Sequence, residues 1–94
     1  MRKHKFKIIP NSQSGSHRTG TLRNITKKEI DAILGFEPNV DDDPDKVKHS
    51  WGFTIEDVYF GIWDYKSYGE PTQFSTYGDP TTLIALFGDH YSKR

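Results

Sequence analysis

No cysteine occurs in the 94 residues, so a disulfide framework, a thiolate metal site and a cysteine nucleophile are excluded together, which suits the cytoplasm. Long apolar runs are also missing. None approaches the roughly 18 residues of a membrane span, and the basic N-terminus is not followed by an apolar core of signal-peptide length, so a soluble intracellular chain is expected. Acid is absent from the first 28 residues, which carry Arg2, Lys3, Lys5, Lys7, Arg18, Arg23, Lys27 and Lys28, whereas every Asp and Glu lies from Glu29 onward. Because 13 basic and 13 acidic side chains leave no net charge, the distribution is what matters. It points to an anion-binding edge, to a basic patch meeting an acidic one between copies, or to a solvated strand beside an acidic loop.

Aromatic and β-branched residues, by contrast, are concentrated in Trp51 to Lys66. Trp51, Phe53 and Ile55 alternate with smaller or polar residues, and after Glu56-Asp57 so do Val58, Phe60 and Ile62, which predicts a β-hairpin with one apolar face. Such a pair is marginal alone, so the flanking amphipathic segments must cover it.

Upstream, the alternation in 4–9 predicts a strand ended by Pro10-Asn11, its lysines suited to a sheet edge. A polar segment, 11–21, follows. Thr26 with Glu29 makes a capping box, Ile25 can staple onto Ile30, and Gly35 can take a left-handed stop, which predicts a helix from Lys27 to Leu34. Residues 37–48 read as an acidic, proline-bearing loop. Its aspartates, Asp41, Asp42, Asp43 and Asp45, lack the glycine and terminal glutamate of a calcium-binding EF-hand loop. Beyond the hairpin, a strand is expected over Gln73 to Tyr77. A second helix capped by Asp79, opened by Pro80 and stopped by Gly88 follows, with a frayed tail. The expectation is one α+β domain, 1–94, with flexible ends at about 1–3 and 89–94. Its antiparallel sheet of about four strands packs against two helices in the order β-α-β-β-β-α.

Three stretches carry candidate chemistry. Ser16, His17, Arg18, Thr19 and Thr21, between Gly15 and Gly20, supply hydroxyl donors and a guanidinium fork of the kind that grips phosphate. The Lys and Ser/Thr of a P-loop are missing after Gly20. Trp63 and Tyr65 share one strand face and could sandwich a nucleobase, with Lys66 at the strand's end; Asp64 points the other way. Phe74 and Tyr77 add rings beside the second helix N-terminus. His17, His49, Asp64 and His90 are the acid–base candidates, but no spacing pairs them and no metal-ligand pattern occurs, so neither a catalytic nor a metal site is expected.

Four of these stretches together resemble a family of very small phage proteins. The stretches are Gly15-Ser16-His17-Arg18-Thr19-Gly20, Leu34-Gly35-Phe36-Glu37-Pro38, Ile62-Trp63-Asp64-Tyr65-Lys66 and Phe74-Ser75-Thr76-Tyr77-Gly78. The family is the immune-evasion sponges of the anti-CBASS type. The chain departs from that pattern in its longer acidic loop, in the order of Trp63 and Tyr65, and in Asp79-Pro80 after a single Gly78. The resemblance implies a non-catalytic homo-oligomer, tetramer or dimer, in the cytoplasm of an infected bacterium. Such a protein sequesters a nucleotide second messenger, a cyclic dinucleotide such as 3′,3′-cGAMP or an ADP-ribose derivative, and needs no cofactor. Phosphodiesterase activity is the enzymatic counterpart. The alternative is a protein-binding, anti-CRISPR-like inhibitor whose acidic loop mimics nucleic acid. Nucleic-acid binding by the basic N-terminal arm is a third reading, and neutral net charge argues against it.

Overall fold

A computed structural model describes residues 7–11, 18–40, 47–65 and 72–92. The hairpin forms as its alternation predicts, but its first strand reaches back to Val47, into the stretch read as loop. Strands β3 (Val47–Ile55) and β4 (Val58–Tyr65) pair antiparallel, with Phe53 opposite Phe60 and Trp51 opposite Ile62. The two-residue turn Glu56-Asp57 holds both residues at positive φ, 52° and 69°. A turn left-handed at both positions matches the right-handed twist of the strands, which is why it closes so short a hairpin.

Around this ribbon lie four further strands. They are β1 (Ile9–Pro10), β2 (Gly20–Arg23), β5 (Gln73–Tyr77) and β6 (Tyr91–Ser92), giving one antiparallel sheet in the order β1-β3-β4-β5-β2-β6. The α+β class stands, but the expected four strands are six among the described residues. Residues 20–23 are the first addition, a strand held between β5 and β6. Their four residues carry one apolar side chain, the fully buried Leu22, so no alternation announced them. The second lies in the expected tail. Residues 88–90 make a 3₁₀ turn, Tyr91 opposes Leu22, and its ring joins the core. Gly20 permits this docking, because a Cβ there would collide with the Tyr91 hydroxyl. Of the expected strand 4–9, residues 4–6 lie outside the described residues and Lys7 and Ile8 are not in a strand; β1, an edge strand beside β3, takes only Ile9 and the proline expected to end it, Pro10.

Helix α1 (Lys27–Leu34) begins at the capping box: Glu29 N–H donates to the Thr26 hydroxyl, and Thr26 N–H to the Glu29 carboxylate. It ends at Gly35, φ 89°. Helix α2 (Pro80–Phe87) starts from the Asp79 cap with Pro80 in its first turn. Ile30 and Leu34 of α1 and Leu83, Leu86 and Phe87 of α2 join Trp51, Phe53, Ile55, Phe60, Ile62 and Phe74 in one cluster, so both helices cover the same sheet face. Phe53 and Phe60 stack at 5.4 Å, and Phe36 meets Phe53 edge-on at 6.3 Å. Each such side chain taken fully out of water stabilises the fold by roughly 1.5–3 kcal/mol, which is what an exposed hairpin lacks. Among the described residues no helix is long and apolar enough to cross a membrane.

Candidate functional site

The sheet face turned away from the helices carries Thr21, Ser50, Tyr59, Trp63, Ser75 and Tyr77, since their strand neighbours Leu22, Trp51, Phe60, Ile62, Phe74 and Thr76 face the core side. Thr19 reaches the same region from the segment before β2. Its backbone N–H donates to the Thr76 carbonyl at 2.8 Å, its hydroxyl donates to that carbonyl at 3.4 Å, and the hydroxyl accepts from Gly78 N–H at 3.3 Å. The end of the Ser/Gly loop is thereby fastened to the end of β5. Only glycine suits position 78: φ is 130°, and a Cβ would run into the Phe60 ring.

Beside that fastening, the rings of Tyr59 and Tyr77 lie 6.2 Å apart at 41°. With Thr19, Val58, Gly78 and Asp79 they line an open cleft of about 410 Å³. Asp79 Oδ2 accepts from the Thr82 backbone N–H at 3.1 Å and from its hydroxyl at 2.9 Å, so the carboxylate is fixed by its capping duty. Aromatic faces, a hydroxyl, an exposed apolar side chain and one carboxylate make a site for a flat, partly polar molecule rather than for bare phosphate.

The expected site residues divide accordingly. Thr19 and Tyr77 meet in the cleft, and Arg18, one residue away, is exposed. Thr21 and Trp63 lie in one cross-strand row, Ser50–Trp63–Ser75–Thr21, each member less than a tenth exposed. Phe74 faces the other way: its ring is 5.7 Å from that of Trp51 and buried in the core, so it is closed to a ligand. Tyr65 enters through its backbone pairing with Val47. Ser16, His17, Lys66 and the acidic stretch 41–46 lie outside the described residues. Tyr59 was missed because its ring meets Tyr77 only through the pairing of β4 with β5, which sequence spacing does not give.

A second cluster sits at the opposite end of β3 and β4, on the core face. Asp64, fully buried, accepts from the His49 backbone N–H at 2.6 Å, and its other oxygen faces His49 Nδ1 at 3.0 Å. A carboxylate acceptor places the imidazole proton on Nδ1. Nearby, the Trp51 indole N–H donates to Asp31 at 3.0 Å, and Lys27 pairs with that carboxylate at 2.6 Å. Here two residues that no sequence spacing paired are joined, because the register shift between Val47 and Ser50 brings the His49 N–H to Asp64. Such a pair can orient a general base. By holding both the backbone N–H and the ring of His49, Asp64 clamps the bulge in β3.

Comparison with protein-family models, with curated proteins and with solved structures found no match for this chain.

Proposed function

We propose that this chain is a non-catalytic nucleotide-binding protein of the sponge type, holding a nucleotide immune signal, a cyclic dinucleotide or an ADP-ribose-like molecule, away from its receptor in a phage-infected bacterial cell. What supports the reading is the fastening of Thr19 to Thr76 and Gly78, which sets the polar loop end beside the Tyr59–Tyr77 pair. A base lies on the tyrosine faces, a contact worth roughly 1–3 kcal/mol. The exposed Arg18 takes phosphate as a bidentate partner.

Magnitudes then argue for more than one subunit. A cleft of about 410 Å³ is near the low end of the roughly 300–1,000 Å³ of small-molecule sites, room for one nucleotide unit rather than two. Sequestering a signal at micromolar levels takes about 8 kcal/mol, more than one stacked base and one phosphate contact supply. A dinucleotide shared between two copies of the chain doubles both contacts, and the near-twofold sugar–phosphate ring of a cyclic dinucleotide suits a twofold assembly.

The test is to incubate the protein with 3′,3′-cGAMP, weigh the complex by native mass spectrometry, then denature it and examine the ligand. The expected result is an even number of chains per complex and the ligand returned intact. A linear product would make the protein a phosphodiesterase, and no retained ligand across cyclic dinucleotides and ADP-ribose derivatives would overturn the proposal.

A further inference from the structure

We infer that the cleft selects guanine over adenine, with the Asp79 carboxylate reading the edge of the bound base. This rests on the nucleotide reading above and adds a specificity to it. Among the described residues Asp79 is the charged member of the cleft lining. Its Oδ2 is held by Thr82, whereas Oδ1 has no protein partner among the described residues, and the side chain is exposed. The carboxylate is therefore both oriented by its cap and open to a ligand.

An ionised carboxylate only accepts hydrogen bonds. Of the base edges, guanine offers two adjacent donors, N1–H and the N2 amino group. Adenine sets its N6 amino group beside the N1 lone pair, and cytosine its N4 amino group beside N3, so each offers one donor next to a repelled acceptor. Uracil flanks its one donor with two carbonyls. Only guanine sets two adjacent donors before the open oxygen, Oδ1, whose two lone pairs can accept both. The same charge repels phosphate, so the base points toward Asp79 and the phosphate outward to Arg18, away from the α2 N-terminus.

Asp79→Asn is a discriminating variant because asparagine caps a helix as well as aspartate does. With its oxygen kept at Thr82 by the cap, asparagine turns its amide donors toward the base, which repels the guanine N1–H and suits the N1 acceptor of adenine. Wild type and variant are titrated with GMP, IMP and AMP by calorimetry, with spermidine as a cationic control. Wild type should bind GMP about tenfold to a hundredfold tighter than AMP, with IMP, which lacks the N2 amino group, in between; the variant should lose or invert that order. Equal affinity for the three nucleotides would overturn the guanine assignment and leave nucleotide binding standing. Spermidine binding abolished by Asp79→Asn, with no nucleotide bound, would overturn both, since two tyrosine faces and a carboxylate then hold a cation. Should Asp79→Asn fail to fold, wild type alone decides: IMP binding as tightly as GMP overturns the guanine assignment.

Discussion

Asp64, with no exposed side-chain surface, receives the backbone N–H of His49 at 2.6 Å on one oxygen and faces the same residue's Nδ1 at 3.0 Å with the other. One side chain thus closes both the bulge in β3 and the end of the core. Removing it in Asp64→Ala strips the acceptor from both groups, and hydrogen bonds to a charged partner are worth roughly 1.5–3 kcal/mol. The expected loss is about 2–3 kcal/mol, a fall in Tm of roughly 10–20 °C for a domain of this size. Asp64→Asn, which keeps an acceptor for the N–H, should lose about half as much. Thermal unfolding followed by circular dichroism checks the order; an alanine variant as stable as wild type would remove the clamp from the account.

A second interaction continues the β1 side of β3, where the Asn11 N–H also donates to the Gly52 carbonyl at 2.9 Å. Asn39 donates through Nδ2 to the Gly52 carbonyl at 3.0 Å and accepts at Oδ1 from the Gly52 N–H at 2.8 Å, standing in for a strand residue. Asn39→Asp keeps the acceptor but sets an anionic oxygen against the carbonyl. It should cost about 1–2 kcal/mol, at least as much as Asn39→Ala. Urea denaturation of both variants decides it, and an aspartate variant more stable than the alanine one contradicts the pairing.

At the hairpin turn, Glu56 and Asp57 both sit at positive φ, which aspartate tolerates better than glutamate but less well than asparagine or glycine. Left-handed backbone costs an ordinary L-residue roughly 1–2 kcal/mol, less for Asp, Asn or Gly. Glu56→Asn with Asp57→Gly should therefore raise stability by about 1 kcal/mol and Tm by several degrees. An unchanged or lowered midpoint would mean the turn is not the left-handed pair described.

Tyr91 gives a pH signature. Burial pushes its phenol above the ordinary 10.0, the Asp79 carboxylate adds to the shift, and the Thr76 hydroxyl opposes it. Both of those hydroxyls are buried without a hydrogen bond of ordinary geometry. The folded chain holds the phenolic proton more tightly than the unfolded one, so this contribution to stability is whole below pH 10.0 and is lost as the pH rises through the raised folded value. Tyr91→Phe removes the term. Urea midpoints measured from about pH 9 to 11 should fall less steeply for the variant than for wild type; parallel curves would contradict the burial of the phenol.

What the chain made legible follows from where its signals are local. The α1 capping box, Gly35, the Asp79-Pro80 start of α2 and the alternation of β3 and β4 each act within a few residues, and each appears where the sequence placed it. Strands β2 and β6 were hidden because Leu22 and Tyr91 are single apolar residues whose partners lie 69 residues apart in number, and only the closed sheet pairs them. The cleft was half legible. Thr19 and Tyr77 carry recognisable chemistry, but the ring that completes them, Tyr59, comes from the pairing of β4 with β5. Phe74 misled for the same reason, since an aromatic strand residue does not reveal which face it takes.

The central claim is that a nucleotide sits on the Tyr59–Tyr77 pair beside Thr19. Its most direct measurement is the calorimetric titration of 3′,3′-cGAMP into wild type and Tyr77→Ala, with the folded state of each verified by circular dichroism. The account predicts binding by wild type and at least a tenfold weakening in the variant, the loss expected for one stacked base. Undiminished binding by a folded Tyr77→Ala protein would contradict it.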